Sequence, residues 1–397
     1  MNREGECQGM QSKGSVNIII RRGTMSDFGS DFGRRKTRWI KGALAFVVLT
    51  GCVADASVPR QTAAHAPAPA STSIYRTAER YAPPRAERSV APASLRASIA
   101  TLGQNFNGTV GISVRRVGAD WEVAYNGDRL MPQQSVSKLW VGMTMLDAVD
   151  RGKMTLNDAV ILTRDDLTLF HQPLAAMVQK GAYTTDAADL FHRAMTQSDN
   201  TANDRILRKV GGPEVVRGFL ARRFIPNVRF GPGERLLQSK TAGLVWDQKM
   251  AIGRNFYTAR ANLPRSVREK ALDDYLANPP DGAAPSSITL ALAKLKAGEM
   301  LSPASTAYLL NTMHEAKTGP QRIKGGVPAG WSYAHKTGTG QDLAPRSTGY
   351  NDVGIMTAPD GTSYAVAVMI ASTTVSIPQR WELMQGVARA VAASHQR

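Results

Sequence analysis

The sequence predicts an α/β protein in which one β-sheet is built from both ends of the folded region. Two segments near its start, 109–115 and 121–125, and two near its end, 352–357 and 364–371, are short and rich in β-branched or aromatic residues. Between them, up to about residue 315, apolar residues recur mainly at helical spacing. Strands at both ends with helices between them indicate one sheet plus a helical insertion.

Local patterns justify the individual elements. A short helix is predicted over 94–102, and a turn through Gly118 joins the first two strands. After Ser135 an apolar series at helical spacing predicts a helix that packs into the core. The members of this series are Val136, Leu139, Trp140, Met143, Leu146 and Val149. A Pro-Asp-Gly turn joins the last two strands, and a helix over 381–393 follows them.

Composition excludes several classes of protein. Of the 397 residues 43% are hydrophobic, which is enough for a real core and excludes a wholly disordered chain. Cys7 and Cys52 are the two cysteines, so a disulfide scaffold and a cysteine zinc site are excluded. The six histidines show no close-spaced pair, so no metal or other cofactor is predicted. The net charge of +17 favours solubility or an anionic surface, but no motif indicates nucleic acid.

Residues 1–52 resemble a bacterial export signal. A basic cluster at 34–41 precedes the apolar stretch 42–51, whose ten residues would rise about 15 Å as a helix, half of a bilayer core. The stretch ends in Leu-Thr-Gly before Cys52, which resembles a lipoprotein signal and implies lipidation of that cysteine. An unlipidated signal peptide or a chance cysteine is the alternative. Met25 would give a signal of ordinary length and is an alternative start.

Three short motifs carry the chemistry. In the first, Ser135 and Lys138 are three residues apart, so their side chains share one helical face and an amine can activate the poor serine nucleophile. The second is Ser-Asp-Asn at 198–200 and the third is Lys-Thr-Gly at 336–338. At average residue usage, all three in this order occur by chance with a frequency of about 0.005 or below. Each motif alone could be a helix cap, a turn or an edge strand. These structural interpretations do not explain why all three motifs occur in this order.

The ordered set resembles the penicillin-recognising serine hydrolases, and class A β-lactamases in particular, over about residues 94–397. Glu234 follows Ser198 by 36 residues, as the general base does in that family, and Arg322 precedes Lys336 by 14, like a substrate-carboxylate arginine. The resemblance implies an antiparallel sheet of about five strands flanked by helices, an all-helical domain, and an active site between them. It also implies a periplasmic, monomeric enzyme acting on small β-lactam substrates.

The resemblance assigns two sets of site residues. The catalytic set is Ser135, Lys138, Ser198, Glu234 and Lys336, and the substrate-binding set is Asn200, Gln238, Arg322, Thr337, Gly338 and Thr339. Ser135 is the expected nucleophile, and Glu234 is expected to activate the deacylating water. The alternative interpretations are a solvated loop carboxylate for Glu234 and a surface arginine for Arg322.

The resemblance also implies a domain organisation. The expected divisions are a signal peptide over 1–52, a flexible Pro/Ala-rich tether over 53–92, and a catalytic domain over 93–397. Within that domain the α/β part is expected over 93–150 and 319–397, and the helical part over 151–318, with an insertion at about 250–286.

The chain departs from the family pattern around Glu234. Gln238 stands where the family has an asparagine that helps to hold the water. Asp247 matches a residue that clasps the loop, but its usual arginine partner is replaced by Pro232, so Arg229 or Arg235 is expected to contact it instead. The insertion, with a helix expected over 264–276, is predicted to pack over or beside this loop.

Three functions therefore compete at this stage. The first is a β-lactam hydrolase. The second is a penicillin-binding D-alanyl-D-alanine peptidase that deacylates β-lactams slowly, which the altered stretch from Glu234 to Gln238 keeps open. The third is a non-catalytic binding lipoprotein, which the complete set of catalytic side chains disfavours.

Overall fold

A computed structural model describes residues 90–178 and 180–395 of the chain. The expected signal segment with Cys52, and all but the last three residues of the expected tether, lie outside this part. No helix in the described part combines the length and the apolar character needed to cross a bilayer.

The described part contains nine strands and twelve α-helices. The strands are β1 (Gly108–Arg116), β2 (Glu122–Tyr125), β3 (Met131–Pro132), β4 (Ala159–Leu162), β5 (Tyr183–Asp186), β6 (Gly282–Ala283), β7 (Ser332–Gly338), β8 (Ser347–Thr357) and β9 (Ser363–Thr373). The helices are α1 (Ala93–Gln104), α2 (Lys138–Asp150), α3 (Ala175–Val178), α4 (Ala187–His192), α5 (Asn200–Lys209), α6 (Pro213–Arg222), α7 (Glu234–Thr241), α8 (Asn255–Asn262), α9 (Arg265–Ala277), α10 (Pro285–Lys296), α11 (Pro303–His314) and α12 (Ile377–His395).

The main sheet has five antiparallel strands in the order β2-β1-β9-β8-β7. Its centre pairs a strand from the start of the domain with one from its end, since Ile112 of β1 lies opposite Val368 of β9. The predicted sheet built from both chain ends is confirmed. Periodicity missed β7, because every residue from Tyr333 to Gly338 is buried and the strand has no polar alternation.

Two hydrophobic cores lie on opposite faces of this sheet. Successive side chains of a strand point to opposite faces, and β9 shows the consequence directly. Val366 and Val368 belong to the core beneath α1 and α12, whereas Ala365 and Ala367 belong to the core that includes α2 and α10. The small alanines allow α10 to approach the sheet closely.

Helix α2 is the central helix of the second core. Its residues from Lys138 to Asp147 are all buried, and it contacts α5, α6 and α11. The predicted core helix is confirmed, but it begins later than expected. Ser135 lies in a tight helical turn, Gln134–Ser137, that precedes α2 rather than in the helix itself.

The predicted insertion forms α8 and α9. Helix α9 packs against α7 through a small cluster in which Leu272 and Tyr275 contact Leu237, as expected for a segment beside the Glu234 loop. The prediction that Asp247 clasps the Glu234 loop is wrong. That carboxylate accepts from the backbone N–H of Lys249 and caps the turn Gln248–Ala251.

Both arginines proposed as partners of Asp247 contact other groups. Arg229 donates to the side chain of Asn278, and Arg235 donates to the backbone oxygen of Asp165 and lies over the ring of Trp246. The inserted segment therefore contacts the chain that precedes Glu234 through Asn278.

Candidate active site

The expected nucleophile lies in a strained turn. Gln134, directly before Ser135, has a φ of 53°, in the left-handed region that non-glycine residues rarely adopt. Its backbone N–H donates to Oδ2 of the buried Asp281 at 2.8 Å, which stabilises this conformation. The turn holds Ser135 partly buried, directly before α2.

Lys138 connects three elements of the site. Its Nζ donates to Ser135 Oγ at 2.8 Å and to Asn200 Oδ1 at 2.8 Å, and it forms an ion pair with Glu234 Oε1. The side chain is fully buried, and the three contacts use all three hydrogens of the ammonium group. A proton that leaves Ser135 can therefore reach Glu234 through one nitrogen.

Glu234 is the first residue of α7 and has an exposure of 4%, which excludes a solvated loop carboxylate. Its backbone N–H lies 3.1 Å from both carboxylate oxygens of Asp204. Burial, together with the charge of Glu234, raises the pKa of Asp204 to about 6. Two buried carboxyl groups thus lie beside Lys138.

Gln238 lies one helical turn after Glu234. Its Nε2 donates to Glu234 Oε2 at 3.1 Å and to Gln134 Oε1 at 2.9 Å. Gln341 Nε2 donates to the backbone oxygen of Gln238 at 2.8 Å. The longer amide that departs from the family pattern bridges the carboxylate and the nucleophile turn.

The second motif lies at a sharp change in the chain direction. A wide helical turn, Arg193–Gln197, ends at Ser198, whose φ of 61° is left-handed. Asp199 then caps the N-terminus of α5. Asn200 donates its Nδ2 to a backbone carbonyl, so its Oδ1 is directed toward Lys138.

Lys336 lies on the other side of the cleft, in β7, and is completely buried. Its Nζ donates to Ser198 Oγ at 2.9 Å and to the backbone oxygen of Thr337 at 3.0 Å. None of the ion pairs among the described residues includes it. Burial and the positive charges of Lys138 and Arg322 lower the pKa of Lys336 well below its usual value.

Arg322 is buried at 7% exposure, so it is not a surface arginine. Its guanidinium donates to Thr339 Oγ1 at 2.6 Å and to the backbone oxygen of Gly338 at 2.8 Å. It also stacks on Tyr350, with 3.8 Å between its central carbon and the ring centroid. Arg322 therefore holds the end of β7 in place as well as bringing positive charge to the site.

The third motif packs directly on the nucleophile turn. A Cβ added to Gly338 would lie 2.4 Å from the backbone oxygen of Gln133, so only glycine fits there. Asn351 of β8 donates to the same oxygen at 3.0 Å. Thr337 shares a hydrogen bond of 2.7 Å with Thr318. This close approach places β7 beside Ser135.

The structure brings all eleven predicted site residues around one cleft. Its cavity of about 320 Å³ is lined by Ser135, Phe170, His171, Ser198, Asn200, Gln238, Thr318, Arg322, Thr337, Thr339, Gly340 and Gln341. Lys138 and Lys336 lie behind this lining and contact its two serines. Sequence reasoning missed Phe170 and Gln341, which belong to none of the three motifs and carried no signal of their own.

A larger cavity, of about 650 Å³, lies between α7 and α9. It contains none of the predicted site residues, so the convergence of reactive groups, rather than cavity size, locates the candidate active site. In the described part of the chain, no three His, Cys, Asp or Glu side chains are grouped so that they could hold a metal ion.

Comparison with known proteins gives one consistent result. A model of the β-lactamase enzyme family matches residues 94–394. The chain is 28% identical over 269 residues to the extended-spectrum β-lactamase PER-1 of Pseudomonas aeruginosa, which covers 68% of this chain and 76% of that protein. It is 27% identical over 340 residues to a β-lactamase of Mycobacterium tuberculosis, covering 85% and 89%.

Solved structures agree on the fold. A representative class A β-lactamase from Bacteroides cellulosilyticus superposes with a TM-score of 0.62 and 20% identity, over 76% of this chain and 97% of that one. The five-stranded antiparallel sheet flanked by helices is therefore the class A architecture, as the motifs predicted. With a family match over about three quarters of its length, the chain belongs to the β-lactamase enzyme family, as a serine hydrolase of class A type.

Proposed function

We propose that this protein hydrolyses β-lactams through an acyl-enzyme on Ser135. The observation that carries the proposal is the buried ammonium of Lys138, which contacts Ser135, Asn200 and Glu234 together. A nucleophile, a proton carrier and a carboxylate thus meet beside a cavity lined by polar groups.

Acylation begins when Lys138 passes an ammonium proton to Glu234 and, as a neutral amine, takes the proton of Ser135 Oγ while that oxygen attacks the lactam carbonyl carbon. The backbone N–H groups of Ser135 and Thr339 would stabilise the oxyanion, each contributing about 3 kcal/mol. When the C–N bond breaks, Ser198 donates its proton to the leaving nitrogen. The proton held by Glu234 would then return to Ser198 through Lys138 and water in the cleft, which leaves Glu234 as a carboxylate for deacylation. Because Lys336 donates to Ser198 Oγ, the serine hydrogen is free to point toward the substrate.

Deacylation requires a water molecule activated by Glu234. Lys138 contacts Oε1 of this carboxylate and Gln238 contacts Oε2, so both oxygens are oriented before substrate binds. A preorganised base needs little rearrangement in the transition state. In this proposal Gln238 takes over the role of the asparagine that the family pattern places there.

Recognition of the substrate falls to the other residues of the cleft. The substrate carboxylate would bind Thr337 and Thr339 in the positive field of Lys336 and Arg322. The backbone at Gly338 and the amide of Asn200 would align the substrate beside Ser135. The site is complete within one chain, consistent with a monomeric enzyme.

An intact-mass time course tests this function. The protein is mixed with a few equivalents of benzylpenicillin while protein and drug masses are followed. The expected result is free protein with fully hydrolysed penicillin, and no reaction for Ser135→Ala. Protein that remains at one added penicillin mass would instead support the slow peptidase, and absence of any adduct or hydrolysis would support the non-catalytic protein.

We further propose that the enzyme is exported and anchored to a membrane by lipidated Cys52, with 53–92 as its tether and 93–397 as its catalytic domain. The support is the order of basic cluster, apolar stretch and cysteine in the sequence. The test is fractionation of cells that express the full chain or Cys52→Ala. The enzyme should move from the membrane to the soluble periplasmic fraction, and an unchanged distribution would contradict lipidation.

A further inference from the structure

The inserted segment, residues 250–286, supplies two buried side chains that contact the nucleophile turn. Gln134 Nε2 donates to the hydroxyl oxygen of Tyr275 at 2.5 Å, and that hydroxyl donates to Asp281 Oδ1 at 3.0 Å. Asp281 Oδ2 accepts from the backbone N–H of Gln134. Gln134, Tyr275 and Asp281 therefore form a closed ring of hydrogen bonds.

The same contacts continue to the catalytic carboxylate. Gln238 Nε2 donates to Gln134 Oε1 at 2.9 Å and to Glu234 Oε2 at 3.1 Å. Tyr275 is thus joined to Glu234 by an unbroken series of hydrogen bonds through two amide side chains. Gln134, Gln238 and Tyr275 are each at most 5% exposed, so water does not compete for these contacts.

The tyrosine determines the direction of every hydrogen bond in this series. Its one hydroxyl hydrogen goes to the Asp281 carboxylate, which can only accept. Its lone pair therefore faces Gln134, which must present its NH₂ group there and its carbonyl oxygen to Gln238. Gln238 then presents its NH₂ group to Glu234, as a carboxylate requires. Burial and the charge of Asp281 raise the pKa of Tyr275 well above its usual range, so the hydroxyl keeps its hydrogen.

We propose that Tyr275 is a positioning residue for deacylation, which orients Gln134 and Gln238 so that Glu234 is held correctly for water activation. This inference rests on the proposed function. The contact between Ser135 and Lys138 does not pass through Tyr275. Loss of the hydroxyl should therefore slow deacylation far more than acylation.

The test compares wild type with Tyr275→Phe, which keeps the ring in its apolar cluster with Leu237 and Leu272 and removes only the hydroxyl. Steady-state and single-turnover kinetics with benzylpenicillin are measured. Deacylation should become about tenfold slower, while the acylation rate changes by less than about twofold. As a result kcat and KM should fall by the same factor, with kcat/KM preserved and acyl-enzyme accumulating.

Tyr257→Phe is the matched control, because Tyr257 lies in the same segment and none of the hydrogen bonds among the described residues involves its hydroxyl. Its kinetics should equal those of wild type. Gln134→Met, which removes the middle of the series at similar volume, should reproduce the fall in kcat and KM. It provides the test if the phenylalanine variant is poorly folded, as judged by thermal unfolding.

Two results would overturn the proposal. Unchanged deacylation in both Tyr275→Phe and Gln134→Met would show that the series is not needed. A fall in kcat/KM that follows a loss of thermal stability would show a purely structural role. Failure of the proposed function can be distinguished from failure of the Tyr275 proposal. In the first case the wild-type protein itself would not turn over penicillin.

Discussion

The two sides of the cleft each bury a lysine against a serine, but they balance its charge differently. On the nucleophile side, Lys138 contacts Ser135 and is neutralised by Glu234. On the strand side, Lys336 contacts Ser198, and no carboxylate in the described residues forms an ion pair with it. Both lysines are almost completely excluded from solvent.

The difference shows how one cleft divides two tasks. A buried cation is costly unless it is paired, and the lowered pKa of Lys336 expresses that cost. An anionic substrate group would relieve it, so the strand side gains most when a carboxylate binds. On the nucleophile side, Lys138 is already paired with Glu234, so a proton can pass between them without a net change of charge.

Removing the negative charge on the nucleophile side should have the largest effect. Glu234→Gln keeps the shape of the side chain, but it leaves Lys138 without its counter-charge. It also removes the base that activates the deacylating water. We expect kcat to fall about 1000-fold, with accumulation of acyl-enzyme seen by intact mass. Glu299→Gln, at an exposed carboxylate, is the control. A loss of less than tenfold would refute the assigned role.

Asp204, the second carboxyl group of the nucleophile side, should make the free energy of unfolding depend on pH. Since the folded pKa of Asp204 is about 6 and the ordinary pKa of an aspartate is 3.8, the folded state binds more protons between these pH values. Stability should therefore fall as the pH rises from about 4 to 6, by up to about 3 kcal/mol. Urea unfolding of Asp204→Asn should show a flatter profile across this window, whereas parallel profiles would contradict the prediction.

On the strand side, Lys336→Gln removes the unpaired charge. For benzylpenicillin we expect kcat/KM to fall about 50-fold, mainly through KM, because the positive charge that attracts the substrate carboxylate is lost. The methyl ester of the same penicillin, which lacks that charge, should be hydrolysed almost equally by both proteins. An equal loss for acid and ester would mean that Lys336 acts on the chemistry rather than on recognition.

For benzylpenicillin, the kcat/KM of the wild-type enzyme should also decrease with rising pH. This decrease should occur at a lower pH than the titration of an ordinary lysine. The reason is that Lys336 loses its charge as the pH passes its lowered pKa. The ester provides the matched control in a pH–rate profile. A decrease of the same size and position for both substrates would assign that titration to another group.

The smallest effect is expected for Arg322→Lys. The charge remains, but one ammonium cannot replace a guanidinium that bonds Gly338 and Thr339 and stacks on Tyr350. We expect a loss of about fivefold in kcat/KM and about 1–2 kcal/mol of stability. Kinetics and thermal unfolding measure these, with the exposed Arg389→Lys as control. Unchanged values would mean that the planar guanidinium of Arg322 is not needed at this position.

Sequence reasoning worked where the relevant geometry is local. The contact of Ser135 with Lys138 followed from a spacing of three residues, although the serine lies in a turn before the helix. The strand β7 was not predicted, although its Lys-Thr-Gly motif was recognised, because burial on both faces removes the alternation that reveals a strand. The Asp247 clasp failed because Pro232 replaces the arginine partner of the family pattern, and Asp247 instead caps the turn that follows it.

The order of the motifs and the hydrophobic periodicity by themselves determined the family, the α/β architecture and the identity of the reactive side chains. The tertiary structure alone decided how those side chains are held. Asp281 contacts Gln134 across 147 residues of sequence, and Gln341 contacts Gln238 across 103. Helical and strand geometry constrains neighbours along the chain, whereas pairing between distant segments depends on how whole helices and strands pack, which no local pattern encodes.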